Sequence, residues 1–157
     1  MRDNARLYLQ QAGKILNLDA LDVRYNGDWF KSLAFMDVIR LLAKSTVART
    51  LEREDFSARL AAGTPIYLHE IVYPLMQGYD SVVVNADVEL GGNDQTFNLM
   101  VGRDLQREAG QEPQVCLTMP LLEGLDGVRK MSKSFGNYVG INDAPNDMFG
   151  KLMSVSD

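Results

Sequence analysis

An α/β domain built on a mainly parallel sheet, present only in part, is the fold class this sequence predicts. Three observations predict it. Short apolar runs that suit strands alternate with longer segments of helical periodicity, the order that produces parallel sheets with crossover helices. The run Asp87–Leu90 leads through the turn Gly91-Gly92 into a helix start, which is the strand–turn–helix step of such folds. The strands are also too few to complete a sheet, so the chain reads as part of a core.

Taken in order, Asn4 is a candidate N-cap for a first helix reaching about Leu16. Leu21, Val23 and Tyr25 alternate with polar residues and predict a short strand, followed by the turn Asn26, Gly27, Asp28. From about Ser32 to Lys44 the apolar residues are too dense for one narrow stripe, so that helix should be covered on more than one side. A short helix is expected at Val47–Glu52, and another capped by Asp55 and closed by Gly63. Thr64 and Pro65 fit N-cap and N1 of a helix running to about Tyr79, with Pro74 inside it and a kink near Glu70. Ser81–Asn85 and Asp87–Leu90 read as strands. Asn93 or Asp94 is placed to cap a helix that ends at Gly110. Val115–Met119 is a buried strand, 120–137 a long loop, Tyr138–Ile141 a short strand, and Pro145 the start of the last helix.

Composition narrows the function classes. Of the 157 residues, 46% are hydrophobic and 24% charged, the balance of a globular protein. No apolar run is long enough to cross a bilayer, and Met1-Arg2-Asp3-Asn4 opens no secretory signal. A single cysteine, Cys116, forbids an intrachain disulfide and points to a reducing, cytoplasmic compartment; it reads as a small buried hydrophobe. One cysteine and one histidine, His69, cannot assemble a usual zinc site. The net charge of −5 means that any grip on nucleic acid must be local or supplied by other chain. His69 and Trp29 read as packing residues, Trp29 in the core or at an interface.

Chemistry concentrates in three places. Tyr73, Gln77 and Asp80 are spaced i, i+4, i+7 and fall within roughly 60° on a helix surface. A phenol, an amide and a carboxylate in one line can wall a pocket for a small polar-aromatic ligand, or simply face water. Next, Gly91 and Gly92 lead into Asp94 and Gln95 at a helix N-terminus, where free amides and a carboxylate can meet a ribose; a tight turn explains the same residues. The third is Lys130-Met131-Ser132-Lys133-Ser134, between Gly127 and Gly136. Two ammonium groups in a pliant loop can stabilise charge developing on a departing polyphosphate.

That five-residue loop resembles the signature of class I aminoacyl-tRNA synthetases, whose cores are Rossmann-type and which activate an amino acid with ATP. Tyr73-x-x-x-Gln77-x-x-Asp80 is similar to the tyrosine-binding helix of the tyrosyl-tRNA synthetases, and Leu90-Gly91-Gly92-Asn93-Asp94-Gln95 to their next ligand-binding turn. Tyr25–Trp29 and the dense helices after it resemble their inserted dimerisation region, at about 28–64, and the likeness runs the length of the chain. By this resemblance Tyr73 and Gln77 hold the α-amino group of L-tyrosine, and Asp80 accepts the bond of its hydroxyl. Gln95 faces its carboxyl, Gly92 and Asp94 meet the ribose, and Leu121 and Leu122 border the adenine. Lys130, Met131 and Lys133 attend the phosphates of ATP, which carry Mg2+, and the two lysines are the catalytic pair. The other implied partners are tRNA(Tyr) and a second copy of the subunit.

The sequence also departs from that pattern. The His-x-Gly-His segment of the class is absent, since Leu68-His69-Glu70 is not that motif. The expectation is therefore the second part of a catalytic domain, without its first half or an anticodon-reading region, and inactive alone. A tryptophanyl-type enzyme and a non-catalytic module derived from a synthetase remain the alternatives.

Overall fold

The computed structural model describes residues 2–155. Its chain divides into two compact units, one of Tyr25–Pro120 and one of Met1–Arg24 with Leu121–Asp157.

The unit Tyr25–Pro120 opens with four short helices: α2 (Gly27–Phe30), α3 (Phe35–Leu42), α4 (Val47–Thr50) and α5 (Glu54–Ala61). Thr46 caps α4, its hydroxyl accepting from the Arg49 amide at 3.1 Å. The cap of α5 is Arg53, not Asp55, which lies in the first turn. Gly63, at φ +66°, ends that helix as expected. The Thr64 amide then donates back to the Arg59 carbonyl at 2.9 Å, a Schellman-type closure. This commitment explains why Thr64-Pro65 does not start the next helix. α6 (Leu68–Val84) begins three residues later, where the Glu70 carboxylate accepts from the Tyr67 amide at 3.0 Å.

α6 also runs past Tyr79 and absorbs the expected strand at Ser81–Asn85. The β-branched run Val82–Val84 stays helical because Ser81 and Val82 pack onto the following helix, tertiary contact overriding local preference. Asn85, left-handed at φ 53°, stops it. β1 (Val88–Gly92) follows, then a 3-10 turn at Asn93–Gln95, α7 (Thr96–Glu108) and β2 (Val115–Met119). Gln95 occupies the N-cap of α7, rather than Asn93 or Asp94. β1 and β2 pair in parallel from Val88 opposite Val115 to Gly92 opposite Met119. Glu89, Cys116 and Thr118 are half-buried, whereas Val88, Leu90, Val115, Leu117 and Met119 are exposed. The face a complete sheet would bury is thus open.

The core is where α6 meets α7: Leu75, Val101 and Leu105 close on Leu41, with Leu42, Tyr79, Val82 and Phe97 around them. Two glycines permit this approach. A Cβ on Gly78 would sit 2.9 Å from Val101 Cγ1, and one on Gly102 only 2.7 Å from Ser81 Oγ. Beneath the crossing lies a polar lattice. The Ser81 hydroxyl donates to Glu89 Oε2 at 2.8 Å, and Gln114 donates to the same carboxylate. Gln106 accepts from the Gln114 amide at 2.8 Å and donates to the Ala86 carbonyl at 2.9 Å.

The other unit contains α1 (Arg2–Ala12), a 3-10 turn at Leu18–Ala20, the loop after Pro120, and α8 (Pro145–Leu152). Asn4 lies within α1, which already includes Arg2, so it is not the cap. The expected strands at Leu21–Tyr25 and Tyr138–Ile141 are absent: 21–25 has no ladder partner among the described residues, and Gly140 turns back to Asp143. Pro145 begins α8 as expected.

Candidate active site

The helix α6 places Tyr73, Gln77 and Asp80 as their spacing requires, but their surroundings differ. Asp80 is partly buried beside α2. Its Oδ1 accepts from the Trp29 indole Nε1 at 2.9 Å and its Oδ2 from Asn26 Nδ2 at 3.2 Å. An ionised carboxylate accepts about four hydrogen bonds, so it retains acceptor capacity for a ligand. Burial pushes the Asp80 carboxyl above its ordinary value; the Trp29 and Asn26 bonds pull it back, and the nearby Glu89 charge pushes it up again. Trp29, expected as plain packing, is therefore also a donor to the site. Its ring lies 6.4 Å from that of Phe30, which lies 5.8 Å from Tyr79.

Gln77 and Gln95 come from different elements and meet at one residue that sequence reasoning missed. Asn98, on the first turn of α7, is 4% exposed. Its Nδ2 donates to Gln77 Oε1 at 2.8 Å and to Gln95 Oε1 at 3.3 Å. The only signal for it in the sequence is its place three residues after Gln95. Tyr73 stands apart from this group: it is 58% exposed and borders an open groove with Arg53, Phe56, His69 and Glu70. In that groove Arg59 holds Glu70 at 2.5 Å and draws its carboxyl down to about 2. His69, exposed, stacks on the exposed Tyr67 ring at 5.9 Å.

Gly91 and Gly92 have separate explanations. A Cβ on Gly91 would press on Leu99 at 3.2 Å and on Gln95 at 3.3 Å, so its absence lets α7 begin against the strand. Gly92 is extended, at φ −74°, which any residue can adopt. Asp94 is exposed in the turn beside it.

A family model for class I tRNA synthetases (W and Y) matches residues 2–157. The chain belongs to this synthetase family. It is 62% identical over 154 residues to a tyrosine–tRNA ligase of Symbiobacterium thermophilum, covering 98% of this chain and 38% of that one. It is 60% identical over 157 residues to that of Burkholderia thailandensis, covering 100% and 38%. The chain thus spans about two fifths of the length of the curated relatives it matches. Among solved structures, the tyrosyl-tRNA synthetase of Archaeoglobus fulgidus complexed with L-tyrosine aligns with a TM-score of 0.63 at 29% identity, over 83% of this chain and 40% of that one. A tryptophanyl-tRNA synthetase of Campylobacter jejuni aligns at 0.55 and 17% identity, over 76% and 40%, a likeness of fold.

The Lys130–Ser134 loop lies in the other unit, with Leu121 and Leu122. Leu121, Leu122, Lys130 and Lys133 are exposed and Met131 is half-buried. The loop is organised around Asn137, another residue the sequence did not single out. Asn137 is 6% exposed; its Oδ1 accepts from the Ser132 amide at 2.9 Å, and its Nδ2 donates to Asp126 at 3.0 Å and to the Lys130 carbonyl at 3.2 Å. Met131 N–H donates to the Leu122 carbonyl at 2.7 Å. A Cβ on Gly124 would lie 2.0 Å from Asn137 Nδ2, so glycine is required there. The loop is thus anchored through its backbone, with Lys130 and Lys133 exposed.

Proposed function

We propose that this chain is the part of a cytoplasmic tyrosine–tRNA ligase that recognises the tyrosine side chain and carries the phosphate-facing lysines. The observation that carries the reading is Asp80: a carboxylate held by Trp29 and Asn26 with acceptor capacity to spare, on the helix that also bears Gln77. A tyrosine hydroxyl would satisfy it, whereas phenylalanine would leave a desolvated carboxylate without its donor. The identities of 60–62% to tyrosine–tRNA ligases support tyrosine over tryptophan as substrate.

In this reading the tyrosine carboxylate attacks the α-phosphate of ATP, pyrophosphate leaves, and tyrosine passes from the adenylate to the terminal ribose of tRNA(Tyr). Gln77 and Tyr73 would hold the ammonium group and Gln95 the carboxyl. Gly92 and Asp94 would meet the ribose, and Leu121 and Leu122 the adenine. Lys130 and Lys133, with the Met131 backbone, would stabilise the departing pyrophosphate. Mg2+ would travel on the ATP phosphates. No side-chain nucleophile is needed; positioning and electrostatics supply the rate.

The open apolar face of β1 and β2 would be covered by the remainder of the catalytic domain. The exposed Phe35, Met36, Ile39 and Val47 of α3 and α4 would meet a second subunit. The test is tyrosine-dependent ATP–pyrophosphate exchange by a full-length synthetase carrying this segment, with phenylalanine and tryptophan as controls. Exchange driven equally by phenylalanine would overturn the reading.

A further inference from the structure

The buried amide of Asn98 sits where two ligand-facing side chains converge, and its geometry dictates how both present themselves. One nitrogen with two protons serves two acceptors, Gln77 Oε1 at 2.8 Å and Gln95 Oε1 at 3.3 Å. Each glutamine therefore turns its carbonyl oxygen toward Asn98, leaving its NH2 group as the free donor. The orientation is self-consistent: reversing Asn98 alone would set its Oδ1 against two other amide oxygens. The protein accepts an unmatched group to keep it, since Asn98 Oδ1 is buried with no hydrogen-bond partner among the described residues.

The placement is rigid. Asn98 is 4% exposed, between Phe97, which packs on the core, and Leu99, 1% exposed. It cannot rotate to water when the ligand leaves, so the two glutamines are ordered before binding. Such pre-ordering is what makes a polar contact effective in a binding site.

We propose that Asn98 is a positioning residue for substrate recognition: it orients Gln95 so that an N–H donor meets the carboxylate of the amino-acid substrate. The proposal rests on the tyrosine reading of the site. Gln77 Oε1, with a second lone pair, can accept from the substrate ammonium while holding Asn98.

Asn98→Asp tests this in a full-length synthetase carrying this segment. The isosteric carboxylate accepts where asparagine donates, so both glutamines must reverse, and Gln95 then presents its oxygen to the substrate carboxylate. The probes are L-tyrosine and L-tyrosinol, which keeps the phenol and ammonium but lacks the carboxylate. Tyrosine binding and kcat/KM for exchange should fall on the order of 10²-fold, as when a charge-assisted donor is lost, while tyrosinol binding changes by less than about threefold. Equal losses for the two ligands, or no loss for either, would overturn the proposal. Should the buried charge of Asn98→Asp prevent folding, Asn98→Ser adds no charge and removes the two-donor geometry. It should also weaken tyrosine more than tyrosinol, and an unchanged ratio would overturn the proposal. A wild-type enzyme that binds neither ligand would remove the tyrosine reading itself, a failure visible before any variant is made.

Discussion

Replacing Trp29 by Phe isolates a single hydrogen bond at the proposed recognition point. Phenylalanine keeps an aromatic ring against Phe30 but has no N–H, so Asp80 Oδ1 loses its 2.9 Å donor. A hydrogen bond to a charged acceptor contributes about 1.5–3 kcal/mol. Asp80 is only partly buried, and solvent screens it, so about 1 kcal/mol is the appropriate figure here. That corresponds to about a fivefold weaker affinity for tyrosine. Phenylalanine makes no use of the carboxylate, so the preference for tyrosine over phenylalanine should narrow by the same factor.

The pH dependence gives a second readout. Ionised Asp80, whose carboxyl burial has already pushed up and the Trp29 bond pulls down, is the stronger acceptor for a tyrosine hydroxyl. Losing that bond raises it further, so tyrosine binding should be lost at a higher pH on acidification in the variant than in the wild type. Calorimetric titration of full-length enzyme with both amino acids between pH 5 and 8 measures both effects. Asn26→Ala, which removes the longer 3.2 Å bond, should act in the same direction and more weakly. Unchanged selectivity together with an unmoved acid limb would refute the reasoning.

Other expectations follow from particular contacts. The Glu70 carboxyl, drawn from an ordinary value near 4.5 to about 2 chiefly by Arg59, contributes stability at neutral pH that is lost as pH falls from about 4.5 through about 2. Glu70→Gln should therefore flatten the acid limb of a thermal-unfolding profile in that window. Gly102→Ala should destabilise the enzyme by about 1–3 kcal/mol, measured by urea unfolding, because its Cβ meets Ser81 Oγ at 2.7 Å. Cys116, whose thiol burial raises, donates to the Leu99 carbonyl at 3.8 Å and should react with iodoacetamide at pH 7.5 more slowly than free cysteine. Asn137→Ala should unfasten the Lys130–Ser134 loop and lower kcat for exchange about tenfold or more with little change in the tyrosine KM.

Much of this was legible in the sequence where local chemistry and tertiary packing agree. The strand Val115–Met119, the left-handed stop at Gly63 and the proline-led α8 stand where their residues place them, although the strand expected to be buried leaves Val115, Leu117 and Met119 exposed. The expectation of strand at Ser81–Asn85 failed because Val82–Val84 has β-forming residues, yet α6 is held helical by its contact with α7. Thr64-Pro65 carried every local mark of a helix start, but the Thr64 amide was already taken by α5. At the site, Tyr73, Gln77 and Asp80 could be read from a helical spacing. The residues that organise them could not. Trp29 and Asn26 reach Asp80 across more than 50 positions, and Asn98 meets Gln77 from another helix. Long-range hydrogen bonds of this kind leave no periodic trace in a sequence.

The measurement closest to the central claim is tyrosine-against-phenylalanine activation by wild-type and Asp80→Asn full-length enzyme, followed by ATP–pyrophosphate exchange. A strong wild-type preference for tyrosine should collapse toward unity in the variant, with the KM for ATP little changed. A variant that still selects tyrosine as the wild type does would contradict the assignment of Asp80 to the hydroxyl, and with it the recognition proposed for this chain.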